Sequence, residues 1–417
     1  MRFAERIGRL SPGLVDSGAS SLATFAAGVV ATRLFTPTEL GTYALFFSAW
    51  ALALQVPSQG IFVPAEARLV KQPVSERSQF LGSNAVTSIP LSIAGSSLIF
   101  AVLLFTPTEV DQAFAWELAV TTALVSVLFP IQDHARRLLH LSRSHWAAAS
   151  ASVARLVVAL ALLWAGMGGM LNLGLVPFGS LAAGDLAALV VAAAFCGRRT
   201  TGQKPYSLKD LLQSGKWLLL SATFGPASGV LVSVLVTRLA SAADLGLAEA
   251  ARVAAQPVLV FAVGLSAVLR PESMEAAIAG DQLRSRSLSR RLFILLAGAT
   301  LLLLIVVSLP EGINPLRALI PVAFEEVGLV QLSVVAALLN GAVFLERSEL
   351  TAVDKVKALS IAEAISGSGR SAVALLADVL RSWSVPISFL VGGLLRLITM
   401  RRSLRRHYSD QPTPESA

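Results

Sequence analysis

Apolar residues run along this chain in blocks of near-constant length, separated by short stretches that collect Arg, Lys, Asp, Glu, Gly and Pro. A helix rises 1.5 Å per residue, so about 20 apolar residues cross a hydrocarbon core about 30 Å thick. Six blocks approach that length in the first half of the chain: Leu14 to Leu34, Leu40 to Val63, Phe80 to Phe105, Gln112 to Ile131, Trp146 to Ala165 and Asn172 to Phe195. Six more follow: Trp217 to Leu239, Leu245 to Val268, Leu292 to Leu309, Val322 to Leu345, Ala358 to Ala377 and Trp383 to Met400. The pattern therefore predicts about twelve membrane-crossing helices and no sheet. The eleventh carries Glu363, Arg370 and the run Ser366-Gly367-Ser368-Gly369, so it is expected to line water or to break within the membrane.

Composition identifies the solvent around these helices. Charged residues make up 14% and hydrophobic residues 54%, with a mean hydropathy of +0.69, against about 25% charged in an ordinary soluble domain. A net charge of +8 would suggest nucleic acid in a soluble protein. Here the basic residues punctuate apolar segments and form no binding face, so no nucleic-acid partner is expected. The single cysteine, Cys196, excludes an internal disulfide. His134, His140, His145 and His407 have no metal-ligand spacing, and no metal or cofactor is expected. The charged stretch Met1 to Leu10 precedes a block of full spanning length with no small-residue cleavage pattern, so the first helix is expected to stay in place.

Charge also orients the chain. The N-terminus, the loops after even-numbered blocks and the C-terminal end, including Arg198, Arg199, Lys204 and Arg396, hold 27 of the 34 Lys and Arg. The alternate loops are short and lean acidic, with Glu39, Glu109, Asp111, Asp244, Glu311, Glu325 and Glu326 in or near them. Basic loops resist translocation, which predicts both termini in the cytoplasm and a multi-pass protein of the cytoplasmic (inner) membrane.

A repeat divides the chain. Thr32-Arg33-Leu34 followed by Leu40-Gly41 recurs, at an offset of 205 residues, as Thr237-Arg238-Leu239 followed by Leu245-Gly246. Pro64 and Arg77-Ser78 recur at an offset of 207 as Pro271 and Arg284-Ser285. An even number of spans separates the copies, so the halves run in the same sense and are expected to enclose a central cavity. The expected divisions are an N-terminal six-helix lobe (1–196), a basic cytoplasmic linker (197–216), a C-terminal six-helix lobe (217–400) and a cytoplasmic tail (401–417).

The hairpin Ala31-Thr32-Arg33-Leu34-Phe35-Thr36-Pro37-Thr38-Glu39-Leu40-Gly41-Thr42-Tyr43-Ala44-Leu45 resembles the first helical hairpin of Wzx-type polysaccharide biosynthesis proteins. Those are flippases of the multidrug/oligosaccharidyl-lipid/polysaccharide (MOP) exporter superfamily. Thr32 and Phe35-Thr36 depart from the family's small residues and glycine, and the Glu39-to-Gly41 spacing is one residue shorter. The resemblance implies a MATE-like all-α fold and transport of an isoprenoid-diphosphate-linked oligosaccharide to the outer leaflet by alternating access. It also implies partners in membrane lipids and the polysaccharide polymerase machinery. A fourteen-span lipid II flippase fits less well, since no extra helix pair is found. A MATE-like or major-facilitator-like small-molecule exporter is the alternative transporter reading, although the Gly-x-x-x-Asp-Arg-like loop of the latter is missing. A membrane polymerase or ligase would need a larger outer loop and catalytic groups, so an enzyme is not expected.

Charge at bilayer depth is costly, so the embedded ionisable residues are the candidate site. By helical rise Arg155 and Asp185 lie about 16 and 21 Å from the loop that joins their spans, within reach of each other. A cavity-facing anion site and a structural ion pair are both open readings. Glu249 and Arg252 stand one turn apart and suggest either a local pair or the lining of the outward mouth. Arg33 and Arg238 end the first helix of each half, where they either meet substrate or snorkel to the interface. Arg370, with Glu363, belongs to the eleventh helix, and Arg317 and Arg381 complete the basic residues outside the cytoplasmic set. Asp16 is a coupling-ion candidate by analogy with an acidic first-helix residue of some MATE exporters, and otherwise a helix-end carboxylate. Gly225-Pro226 is expected to loosen the seventh helix.

Overall fold

A computed structural model describes residues 2–106, 109–196, 206–310, 313–324, 326 and 328–409, with side chains from Pro12 onward except at positions 14, 317 and 318. The side chains of Arg2, Arg6, Arg9 and Arg317, the residues Arg198, Arg199, Lys204, Glu311 and Glu325, and the last part of the tail lie outside the described residues.

Among the described residues the chain forms twelve helical rods and no strand. They are α1 (Arg2–Leu34), α2 (Pro37–Leu69), α3 (Val74–Phe105), α4 (Gln112–Leu141), α5 (His145–Met167), α6 (Leu173–Phe195), α7 (Leu208–Leu239), α8 (Ala242–Ile278), α9 (Gln282–Val307), α10 (Leu329–Ala352), α11 (Val356–Ala374) and α12 (Ala377–Ser409). Ten are long and apolar enough to cross a membrane; the other two are α1 and α11. Contrary to the expected break, α11 winds without interruption through Ser366-Gly367-Ser368-Gly369. Ser366 Oγ donates to the Gly392 carbonyl of α12 (2.8 Å), and Gly367 sits against Ser228 of α7, so small residues there serve close packing.

Several rods outrun their apolar blocks. α4 continues past Ile131 to Leu141 and α8 past Val268 to Ile278, which places Arg136, Arg137 and Arg270 in helix and not in loops. α7 starts at Leu208, so Lys209 and Lys216 of the expected linker are helical. The tenth rod shifts the other way: Val322–Phe324 is an isolated tight turn, and helix begins at Leu329 and runs to Ala352.

The rods gather into two compact units, Met1–Leu219 and Leu220–Ala417, with the boundary inside α7. In the first, α5 packs on α6 and α1, and α4 on α6 and α3. In the second, α11 packs on α12, and α8 on α9 and α10. Lipid association offers helices no hydrophobic gain, so close approach depends on small side chains. Ala135, Ala148, Ala151, Ala188 and Ala192 supply it between α4, α5 and α6. A Cβ at Gly184 would stand 2.7 Å from the Arg155 carbonyl, which fixes glycine where α6 meets α5.

Both halves begin with the same capped hairpin. After α1, Thr36 Oγ1 accepts from the Glu39 amide (3.3 Å) while the Glu39 carboxylate accepts from the Thr36 amide (2.8 Å). After α7, Ser241 Oγ accepts from the Asp244 amide (3.0 Å) and donates to its carboxylate (2.6 Å). These caps stand 205 residues apart, in register with the Thr-Arg-Leu repeat. Thr32 and Thr237 also match, each donating to the carbonyl four residues back.

Within α2, Ser58–Phe62 widens into a π turn. Pro64 supplies the cause: its ring would clash with the carbonyl four residues earlier, at Gly60, and it has no N–H to offer. Gly215 of α7 lies against the loosened turn, where a Cβ would meet the Gln59 carbonyl at 2.6 Å and the Gly60 carbonyl at 3.1 Å.

Candidate functional site

Among the described residues, three polar groups, two in the first unit and one in the second, hold Arg155, Asp185, Asp16, Glu363 and Arg370. The first joins α5 and α6. Arg155 Nε donates to Asp185 Oδ1 at 2.5 Å, and both side chains are fully buried. Arg155 Nη1 also reaches the Ser20 carbonyl of α1 (2.8 Å), and its guanidinium lies 5.1 Å from the Phe129 ring of α4. The expected pair therefore forms, and it ties four helices together. Arg155 Nη2 and Asp185 Oδ2 make no hydrogen bond among the described residues.

The second group forms a chain across α1 to α5. Asn84 meets His134 Nε2 (3.0 Å), and His134 Nδ1 meets Glu66 (2.9 Å) while its ring stacks on Phe62. Glu66 faces Arg137 (3.5 Å), which with Arg136 grips Asp133 at 2.5 and 2.6 Å. Arg136 and His140 then meet Asp16 Oδ2 at 3.3 and 2.9 Å, while Ser152 Oγ donates to Asp16 Oδ1 at 2.5 Å. Both oxygens of Asp16 thus have partners, two of them cationic or able to become so. That arrangement fits a carboxylate holding helix ends together better than a ligand for a metal cation. Among the described residues no group of three or more His, Cys, Asp or Glu is placed to hold a metal ion.

In the second unit, Arg396 of α12 faces Glu363 of α11 (3.4 Å) and donates to Asn340 Oδ1 of α10 (2.6 Å). Arg370 shares that acceptor (3.1 Å) and stacks over Phe389 (4.6 Å). It occupies the space that a side chain at Gly392 would take, since a Cβ there would lie 2.5 Å from Arg370 Nε. Gly225 of α7 brings its backbone beside Glu363, whose Oε2 stands 3.4 Å from where a Cβ would sit. Arg370 is buried and Arg396 partly so; both donate to the Asn340 amide, Arg396 also faces Glu363, and each leaves Nε without a hydrogen bond among the described residues.

Sequence reasoning assigned Arg396 to the basic C-terminal end, whereas its side chain is 12% exposed and belongs to this cluster. Asn340, Glu66 and Asp133 are further members of these groups that the sequence does not mark, and His134, without metal-ligand spacing, is a hydrogen-bonding link between Asn84 and Glu66. Amide and acid side chains spaced along separate helices leave no local signal; the i,i+3 and i,i+4 spacing of Asp133 with Arg136 and Arg137 is the one signal that could have found part of this network.

The remaining candidates lie elsewhere along their helices. Arg252 forms a two-pronged contact with Glu249 at 2.5 and 2.6 Å, one turn away on α8. Arg33 and Arg238 are exposed at the ends of α1 and α7. Arg381 is exposed where α12 begins and takes a left-handed backbone, φ 48°.

No protein-family model matches the sequence, and no curated protein does. Solved structures do. An inward-facing multidrug resistance MATE family transporter of the MOP superfamily superimposes with a TM-score of 0.72 at 13% identity, covering 94% of each chain. An outward-facing one gives 0.66 at 13% identity, covering 97% of this chain and 96% of the other. A MATE in the bent conformation gives 0.61 at 14% identity over 97% and 95%. At such identity the likeness carries architecture alone: the chain is a multi-pass, all-α membrane protein with the MATE transporter fold.

Proposed function

We propose that this protein is a flippase that carries an isoprenoid-diphosphate-linked oligosaccharide across the cytoplasmic membrane by alternating access, with both termini in the cytoplasm. The observation that carries the reading is the guanidinium surplus in the second unit, where Arg370 and Arg396 converge on the Asn340 amide and, among the described residues, Glu363 is the carboxylate paired there, with Arg396. Uncompensated positive charge at membrane depth suits an anionic cargo, because a diphosphate offers charge-assisted acceptors to guanidinium donors. The isoprenoid tail can stay in lipid, so only the diphosphate and glycan need a polar route, and no covalent step is required. Gly225 and Pro226, beside Glu363, give α7 a point at which to bend during the transition. Arg155 and Asp185 serve as the matching charged group of the first unit, with Arg252, Glu249, Arg33 and Arg238 nearer the ends of their helices.

The test is flipping of a fluorescent isoprenoid-diphosphate oligosaccharide in proteoliposomes. Arg370→Gln and Arg396→Gln should each lower the rate by about tenfold or more, a loss on the scale of one charge-assisted contact, with reconstitution yield unchanged. Equal rates in wild type and the double variant would overturn the reading. Uptake of a cationic dye without flipping would favour the small-molecule exporter instead.

A further inference from the structure

The second unit holds a cavity of about 330 Å³ that none of the transport groups enters, lined by residues of α9, α10 and α12. Its walls are two pairs of arginines, each pair one turn apart on its helix: Arg286 and Arg290 of α9, and Arg401 and Arg405 of α12. The two pairs come from segments more than 100 residues apart in sequence, so their convergence is a product of the fold. Phe293 and the buried Leu404 give the cavity an apolar part.

Two carboxylates of α10 also line it, and both are engaged. Glu349 accepts from Ser273 (2.6 Å) and Ser285 (2.7 Å), and Glu346 faces Arg401 (3.1 Å). Among the described residues Arg286, Arg290 and Arg405 hold no ion pair. Four guanidiniums against two carboxylates leave a surplus suited to a phosphate-class anion, and arginine's fork matches phosphate oxygens two at a time.

The surroundings indicate where that anion comes from. Above the cavity α9 is the barest of the spanning helices, with only 17% of its apolar window buried. Ile294, Leu295, Leu301, Leu302 and Ile305 are each at least half exposed along it. A charged pocket at the foot of a bare apolar helix has the two-part chemistry of a phospholipid, head group below and acyl chain alongside. We infer that this cavity is a binding site for the head group of an anionic phospholipid, with Arg286, Arg290 and Arg405 as its phosphate donors. The inference is independent of the transport reading, and its test measures binding and not transport.

The full chain is purified in a neutral detergent and titrated with phosphatidylglycerol, phosphatidylcholine or inorganic phosphate, with bound lipid counted by native mass spectrometry and stability followed by thermal unfolding. Phosphatidylglycerol should bind and raise the unfolding temperature, and the other two should do neither. Arg286→Gln with Arg405→Gln should weaken phosphatidylglycerol binding by about tenfold or more, from two lost charge contacts near the membrane surface. Arg284→Gln with Arg402→Gln removes the same charge from outside the cavity and should leave binding within about twofold of wild type. Should the first double variant aggregate, the single variant Arg290→Gln should still show a severalfold loss. Binding unchanged in the cavity variants, an equal loss in the control pair, or equal stabilisation by inorganic phosphate would each overturn the assignment.

Discussion

Arg155 and Asp185 form an ion pair between α5 and α6 with both side chains fully buried. Counting helical rise back from the connecting loop puts the two at compatible depths, and the structure brings them to 2.5 Å. Taking a charge out of water is repaid only by a well-placed partner, so losing either member strands the other. Arg155→Ala and Asp185→Ala should each destabilise the protein by about 3–5 kcal/mol, while Arg155→Met combined with Asp185→Leu should cost less than either. Chemical unfolding in mixed micelles would measure this cycle; costs that simply add would mean the pair is uncoupled. The same reasoning did not reach Arg396, because a positive charge near other positive charges at a helix end reads as a flank. Its partners Glu363 and Asn340 lie on two other helices, and only tertiary structure brings them within range.

Helices as elements were legible wherever apolar length alone decides them, and illegible at their ends. Hydropathy falls where α4 and α8 leave the apolar region, yet their backbones continue because the following residues pair across helices or within a turn. Asp133 with Arg136 and Arg137 is one such case. In α11 the Ser-Gly run looked like a break because glycine weakens isolated helices. Inside the bundle it is instead the contact surface, bonded to α12 and pressed on α7. The caps of α2 and α8 carry a measurable share of local stability. Thr36→Ala and Ser241→Ala should each cost about 1 kcal/mol, and Thr36→Ser much less. Hydrogen exchange at the Glu39 and Asp244 amides should accelerate about fivefold in the corresponding alanine variants; unchanged exchange would mean the hydroxyl bonds contribute nothing.

For the whole molecule, the twelve rods, ten of them long and apolar enough to cross a membrane, and the matching caps were readable from sequence, because membrane thickness sets helix length and the two hairpins share their turn chemistry. Orientation in the bilayer is read by cysteine labelling, and the single native cysteine, Cys196, makes that direct. Burial pushes the Cys196 thiol up to about 11. Near pH 7 it is almost wholly protonated, and only as pH rises toward 11 does its reactive thiolate become abundant. An exposed introduced cysteine, with an ordinary value of about 8.5, therefore labels first. Ser144→Cys, between α4 and α5, should be shielded from an impermeant maleimide in intact cells. Met170→Cys, between α5 and α6 and 70% exposed, should react. The opposite pattern would invert the proposed topology.

The paired caps have a consequence for tracing ancestry. Thr36 with Glu39 and Ser241 with Asp244 perform one task with four different residue types, so the bond recurs where the letters do not. A comparison that rewards identical letters gains nothing at either place. Distant kin of this chain will be recognised sooner by asking which positions can cap, pair or admit a neighbouring backbone than by asking which positions match.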